Sequence, residues 1–265
     1  MLANGCNAVR MLFCTIEQMN NFNAEWSALM SCRHLRTLFS AAFTIVILAS
    51  VPGFAEERSC PKTDSVPLTV LLMPPPDKKS AETKAELREL LTLQNQRTPD
   101  QAKHAEQDYK RTIDRFFGEI GIKVDDWPNS AQHFFECVAA TAEDAVNEAK
   151  TTFRRTRPNK LPHNGLHILK TLKDDDTFSY PSGHATYGTV TGLLLAEMLP
   201  EKREKILKRI EDYGYSRMVS GVHFRSDVYA GQVAGATIVA FLLKDKTFRD
   251  RFKDAKTELR RALGY

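Results

Sequence analysis

The sequence predicts an all-α fold, a single-domain helical bundle over residues 56–265 with its chemistry at helix ends in the core. From Ser80 almost to the C-terminus, apolar residues recur at helical spacing between cap signals, and no segment of strand period competes. The nearly continuous apolar stretch from Val228 to Leu243 carries Gly231 and Gly235 four apart. That spacing permits close helix packing and marks a central core helix. With 265 residues, 42% of them hydrophobic and 26% charged, the chain can bury one good core. Net charge is +4 and the pI about 8.7, with Lys and Arg interleaved among Asp and Glu. So dispersed a charge offers no nucleic-acid footprint.

Residues 1–29 show no targeting pattern, and Met30 is the expected start of translation. Arg33, His34 and Arg36 then form a basic flank ahead of the apolar run Leu38–Val51, and Gly53-Phe54-Ala55 supplies small residues for a signal peptidase. Residues 1–55 thus read as an N-terminal extension plus a secretory signal cleaved after Ala55, with a periplasmic or secreted product. The run is short for a membrane span, and an uncleaved anchor is the alternative. Cys6, Cys14 and Cys32 fall in the removed part. Cys60 and Cys137 remain, an even count in an oxidising compartment, so they form either one disulfide or a buried small hydrophobe at Cys137.

Leu68–Met73 reads as a short extended apolar segment stopped by Pro74-Pro75-Pro76. Ser80, Glu82 and Thr83 open a helix to about Gln96. Thr98-Pro99-Asp100 starts a second, which carries Tyr109, Ile113 and Phe116 and ends at Gly118–Gly121. Trp127-Pro128-Asn129-Ser130 is a turn and N-cap signal for a long helix from about Ala131 to Arg157. Residues 158–181 form a loop; its acidic run 174–176 lacks ligand spacing, and Gly165 between His163 and His167 argues against a metal pair. Helices follow over Ser182–Leu199, Glu201–Tyr215 and Val222–Leu243, and an amphipathic tail runs from Lys246 to Leu263.

Three segments carry chemistry. In Tyr215–Asp227, His223 and Asp227 are four apart, so on a helix they share a face and the carboxylate can hold one ring nitrogen. An imidazole so held serves as general base or nucleophile, and nearby Arg217, a planar fork of donors, suits phosphate oxygens. Lys150 and Arg157 are seven apart, about two helical turns, so both cations face one way. Pro158 ends that helix. Tyr180-Pro181-Ser182-Gly183-His184 opens another helix. There Ser182 is the N-cap, Gly183 lets a ligand approach the backbone, the free N–H groups suit an anion, and His184 can protonate a leaving oxygen. Each segment alone has a plainer meaning: a structural His–Asp pair, a solvated basic helix end, a helix cap.

Taken in order, K-x6-R-P, P-S-G-H and S-R-x5-H-x2-S-D resemble the signature of the type 2 phosphatidic acid phosphatase superfamily. That family includes bacterial class A non-specific acid phosphatases and vanadium-dependent haloperoxidases. The matching positions are Lys150, Arg157, Pro158, Pro181, Ser182, Gly183, His184, Ser216, Arg217, His223, Ser226 and Asp227. The proline-rich start near Leu68–Pro76 and the expected signal are similar to the secreted class A branch. Ala185, where that branch often has threonine, and Ser220-Gly221-Val222 depart from it.

The resemblance implies a metal-independent acid phosphatase acting on small phosphomonoesters, with neither nucleic acid nor a stable membrane span after signal cleavage. Phosphotransferase activity and a homo-oligomer are further implications. Lys150, Arg157, Arg217 and the backbone of Ser182 and Gly183 would clamp the phosphoryl oxygens. His223, oriented by Asp227, would form a phosphohistidine while His184 protonates the leaving group, giving a mildly acid optimum. No cofactor is expected, and vanadate would bind as an inhibitor. A vanadium-dependent haloperoxidase, a lipid-phosphate phosphatase and a non-catalytic phosphate-binding module are the alternatives.

Overall fold

The structure is a computed structural model that describes residues 66–123, 127–162, 165–169 and 177–265. The expected extension and leader at 1–55, Cys60, His163 and the acidic run 174–176 lie outside the described residues. Among those described, every regular element is helical. They are α1 (Leu68–Leu71), α2 (Ala81–Gln96), α3 (Pro99–Gln107), α4 (Asp114–Ile120), α5 (Asn129–Phe153), α6 (Gly183–Met198), α7 (Arg203–Val219), α8 (Arg225–Leu242) and α9 (Lys246–Ala262). A short 3-10 turn, Pro158–Lys160, follows α5.

Ser80, Thr98 and Ser182 cap the helices the sequence has them open, and Asp245 caps the last one. Ser80 Oγ accepts the Thr83 N–H at 3.0 Å, and Thr98 and Gln101 close a reciprocal capping box. Ser182 Oγ accepts from Ala185, and Asp245 from Phe248. Each satisfies an N–H that the first helical turn leaves without an acceptor.

The central helix is α6. It is apolar on almost every side and buried through nearly its whole length, packed against α5, α7 and α8. Helix α8, the expected centre, is its closest neighbour, and the two glycines act as the sequence implies. A Cβ on Gly231 would stand 2.5 Å from the Ser182 carbonyl oxygen, and one on Gly235 2.6 Å from Thr189 Cβ. A second layer of aromatics, Phe116, Phe117, Trp127, Phe134, Phe135 and Phe248, fills the space under α4, α5 and α9.

Several boundaries differ from expectation, each for a physical reason. Leu68–Met73 is not extended: it makes one helical turn with Leu68 and Leu72 buried. The helix expected from Thr98 to Gly118 is broken at 108–113. Asp108 is fully buried there and binds Arg209 at 2.6 Å and Arg115 at 2.9 Å, with His104 and Asp212 alongside. The two guanidinium groups hold the carboxylate inside, and the backbone leaves the helix to deliver it. Ser130 does not cap α5; its hydroxyl donates to Glu258. Helix α5 ends at Phe153, before Arg157, because Arg154 turns left-handed at φ 51°. Helix α7 runs past Tyr215 to Val219, so Arg217 is helical. Helix α8 starts only at Arg225, leaving His223 outside it.

Cys137, in α5, is disulfide-bonded; its expected partner Cys60 is outside the described residues. No single helix among those described is long and apolar enough to cross a membrane.

Candidate active site

All the site residues expected from the sequence converge at one end of the α5–α8 core. The junction between α7 and α8 explains how. Past Arg217 the chain closes helix α7 with backbone bonds from Gly221 to Met218 and from Val222 to Arg217. Gly221 sits at φ 77°, with the His167 carbonyl oxygen 3.3 Å from where a Cβ would be. The turn faces His223 into the core, where it is 2% exposed. Asp227, fully buried, then does two jobs from the first turn of α8. Its Oδ2 accepts the Phe224 N–H at 2.8 Å and lies 3.4 Å from His223 Nδ1. The two residues therefore do not share a helical face; Asp227 reaches back from a helix start.

At the other ring nitrogen, Arg157 Nη1 lies 3.2 Å from His223 Nε2. A guanidinium only donates, so Nε2 carries the lone pair and Nδ1 the proton that faces Asp227. The imidazole is thus fixed in the tautomer that makes Nε2 nucleophilic. Ser179 Oγ, hydrogen-bonded to Asp227 Oδ2, adds a further partner for the carboxylate.

Lys150 and Arg157 converge, but not along one helix face. Lys150 Nζ donates to the Phe178 carbonyl. Arg157, extended after the Arg154 turn, donates through Nε to the neighbouring Thr177 carbonyl at 2.9 Å and through Nη1 to Val222 at 3.1 Å. Both cations are buried, and adjacent peptides of one loop bring them together.

Arg217 is different in kind. It is 2% exposed, and its Nε and Nη1 have no hydrogen-bond partner. Burial, reinforced by the Arg157 charge against the opposing pull of Tyr213, brings its pKa down to about 10. Unpaired buried donors on a cation are costly, and an anion is the group that would satisfy them.

His184 follows Gly183 in the first turn of α6, where the backbone N–H groups have no intrahelical acceptor. Its ring lies between Tyr109, with centroids 6.3 Å apart, and Tyr213, 6.1 Å apart. Nε2 pairs with the Tyr109 carbonyl at 2.8 Å. Burial first, then the Arg217 charge, holds its pKa well below the ordinary histidine value.

Sequence reasoning missed three contributors. Arg155 passes as one more charge of a basic helix end, yet it is buried and donates to Asp227 Oδ1 at 2.6 Å. Glu86, on α2, takes the other side of that guanidinium. Ser179 stands two residues before Pro181, with no local signal to separate it from other loop serines.

Residues 134–251 match the family model described as PAP2 superfamily. The chain is 32% identical over 154 residues to a non-specific acid phosphatase of Salmonella typhimurium, covering 56% of this chain and 60% of that protein. It is 37% identical over 118 residues to a non-specific acid phosphatase of Providencia stuartii, covering 43% and 46%. The chain thus spans about half the length of the curated relatives it matches. A bacterial vanadium-dependent iodoperoxidase is similar in fold, with a TM-score of 0.51 and 17% identity over 65% of this chain and 51% of that one.

Proposed function

We propose that this chain, a member of the PAP2 superfamily through residues 134–251, hydrolyses phosphomonoesters through a phosphohistidine. The observation that carries the reading is Arg217: a buried guanidinium with two unpaired donors, in the same site as a histidine whose Nε2 carries the ring's lone pair. The likeness to two non-specific acid phosphatases supports the same substrate class.

The substrate phosphoryl group takes the donors of Arg217, Arg157 and Lys150 and the N–H groups at the start of α6. Its three equatorial oxygens gain charge in the transition state, and donors fixed in advance need no reorganisation there. His223 Nε2 attacks phosphorus in line while the bond to the leaving oxygen breaks. His184 gives its proton to that oxygen. Water then attacks the phosphohistidine, His184 takes the proton back, and His223 leaves as the neutral imidazole. Asp227 stabilises the positive charge that His223 carries in between.

His184 must begin protonated, and its depressed pKa means that the free enzyme achieves this only in acid. A bound phosphate dianion raises its proton affinity, so substrate itself loads the acid. Rate is therefore highest at mildly acid pH and falls as pH rises. The clamp supplies the positive charge the reaction requires; on this reading no cofactor takes part, and orthovanadate, as a mimic of the phosphoryl transition state, would inhibit. The secretory leader expected at 30–55 fits a periplasmic or secreted enzyme.

The test is hydrolysis of p-nitrophenyl phosphate by residues 56–265 between pH 4 and 8 in EDTA, beside His223→Ala. Turnover with an acid optimum that disappears in the variant is expected. Turnover that survives in His223→Ala refutes the covalent route, and loss of wild-type activity on chelation refutes the metal-free one.

A further inference from the structure

Lys150, Arg157 and Arg217 are the cations of the proposed phosphate clamp, and Arg155 is a fourth buried cation outside it. Arg155 is buried at the rear of Asp227, away from the nitrogen that attacks. Its Nη1 binds Asp227 Oδ1 and Ser226 Oγ, each at 2.6 Å. Its Nη2 binds Glu86 Oε2 at 2.9 Å, and its guanidinium lies over the Phe224 ring, 4.1 Å from the centroid. Glu86 also accepts the Ser226 N–H at 2.6 Å, capping α8 from α2. One cation thus lies between two buried carboxylates, only one of which touches His223.

Building on the phosphatase reading, we propose that Arg155 is a positioning residue: anchored by Glu86, it fixes Asp227 and through it sets the proton affinity of His223. The charge count behind His223 gives the sign. Asp227, Arg155 and Glu86 together carry −1. Without the guanidinium they carry −2, which stabilises imidazolium; without the Glu86 charge they carry zero, which disfavours it. Arg157 at Nε2 and Ser179 at Nδ1 touch the ring, His184 from α6 couples to it electrostatically, and Arg217 and Lys150 are the other buried cations of the site. They are the same in every variant, so the difference isolates the pair behind Asp227. Because His223 attacks only when neutral, its titration forms the acid limb of the rate profile.

The experiment measures the His223 titration by nitrogen-15 NMR in the full chain without substrate, alongside kcat/KM against pH for p-nitrophenyl phosphate. Arg155→Met is expected to move the titration up by about one pH unit, Glu86→Gln to move it down by less, and Arg155→Lys to keep it near wild type. The acid limb of kcat/KM follows each shift, while KM changes little. Opposite shifts are the signature that a merely structural role does not produce. An unmoved His223 in both Arg155→Met and Glu86→Gln, even with slower turnover, overturns the proposal. If Arg155→Met does not fold, Glu86→Gln decides alone: a downward shift supports the proposal and no shift overturns it. If the wild type hydrolyses no phosphomonoester, the titration still decides the role of Arg155, and only the phosphatase reading fails.

Discussion

Replacing Arg217 by methionine should damage the site and strengthen the protein. The pKa of this guanidinium is brought down from the ordinary arginine range to about 10. At about 1.4 kcal/mol per pH unit, holding the cation inside costs the fold about 3 kcal/mol. The sign holds across the working range: a cation whose folded pKa is lowered destabilises at every pH below that value, and relief comes only in strong alkali. Methionine removes the charge and the two unpaired donors while keeping much of the apolar stem, so some of that cost returns as stability. A gain of about 1–2 kcal/mol is expected after allowing for imperfect filling, which raises Tm by about 2–8 °C. Ligand binding moves the other way. Two charge-assisted hydrogen bonds to phosphate, each worth about 1.5–3 kcal/mol, are lost. The catalytic efficiency should fall by about 100-fold or more. Thermal unfolding with and without phosphate or orthovanadate reads both effects, because a ligand that binds only the folded state raises Tm. The wild type should show a large ligand-induced rise and the variant little. A variant that melts lower and keeps the full phosphate response would show Arg217 to be a structural cation, and would remove the observation on which the function rests.

Other outcomes follow from the same geometry. His184→Ala should slow hydrolysis of alkyl phosphates by about 100-fold to 10,000-fold and p-nitrophenyl phosphate by less, since a better leaving group leans less on the proton; equal losses on both would refute the general-acid role. Because the folded state lowers the His184 pKa, its contribution to stability is present above the ordinary histidine pKa and lost as pH falls through it. Thermal scans without phosphate should therefore show a Tm that declines into acid, less steeply in His184→Ala. Gly231→Ala would put a Cβ 2.5 Å from the Ser182 carbonyl oxygen. It should cost about 1–3 kcal/mol by denaturant titration, whereas Gly118→Ala, with nothing within 4 Å, should be neutral. Arg209→Met leaves Asp108 buried without its main partner. A loss of about 3–5 kcal/mol is expected in chemical unfolding, with the site chemistry preserved in whatever folds.

Most of the architecture was legible because helices announce themselves locally. Ser80, Thr98 and Ser182 are caps whose partners lie three residues away, and the Gly231 and Gly235 spacing needs only one helix to be seen. The site residues were legible as identities but not as geometry. Read along one chain, His223 and Asp227 look like neighbours on a helix face; in space the aspartate reaches back from the first turn of α8, because it caps Phe224 as well. The break at Asp108 was invisible, since its cause is Arg209, 101 residues away. Arg155 was missed for the same reason. Its meaning comes from Glu86, 69 residues earlier, and nothing in the run Arg154-Arg155-Thr156-Arg157 tells the buried charge from the exposed one.

The left-handed turn at Arg154 bears on insertions and deletions. A surface loop ordinarily accepts an extra residue at little cost. The stretch between Lys150 and Arg157 cannot, because its two ends grip consecutive carbonyls, Phe178 and Thr177. The six intervening residues are a measured length of chain: one helical turn, one reversal and a short extended run. Adding or removing one beyond Phe153 would unhook Arg157 without disturbing any helix. Sequence change here is confined to substitution, and glycine at 154, which takes φ 51° freely, is the substitution the backbone already favours.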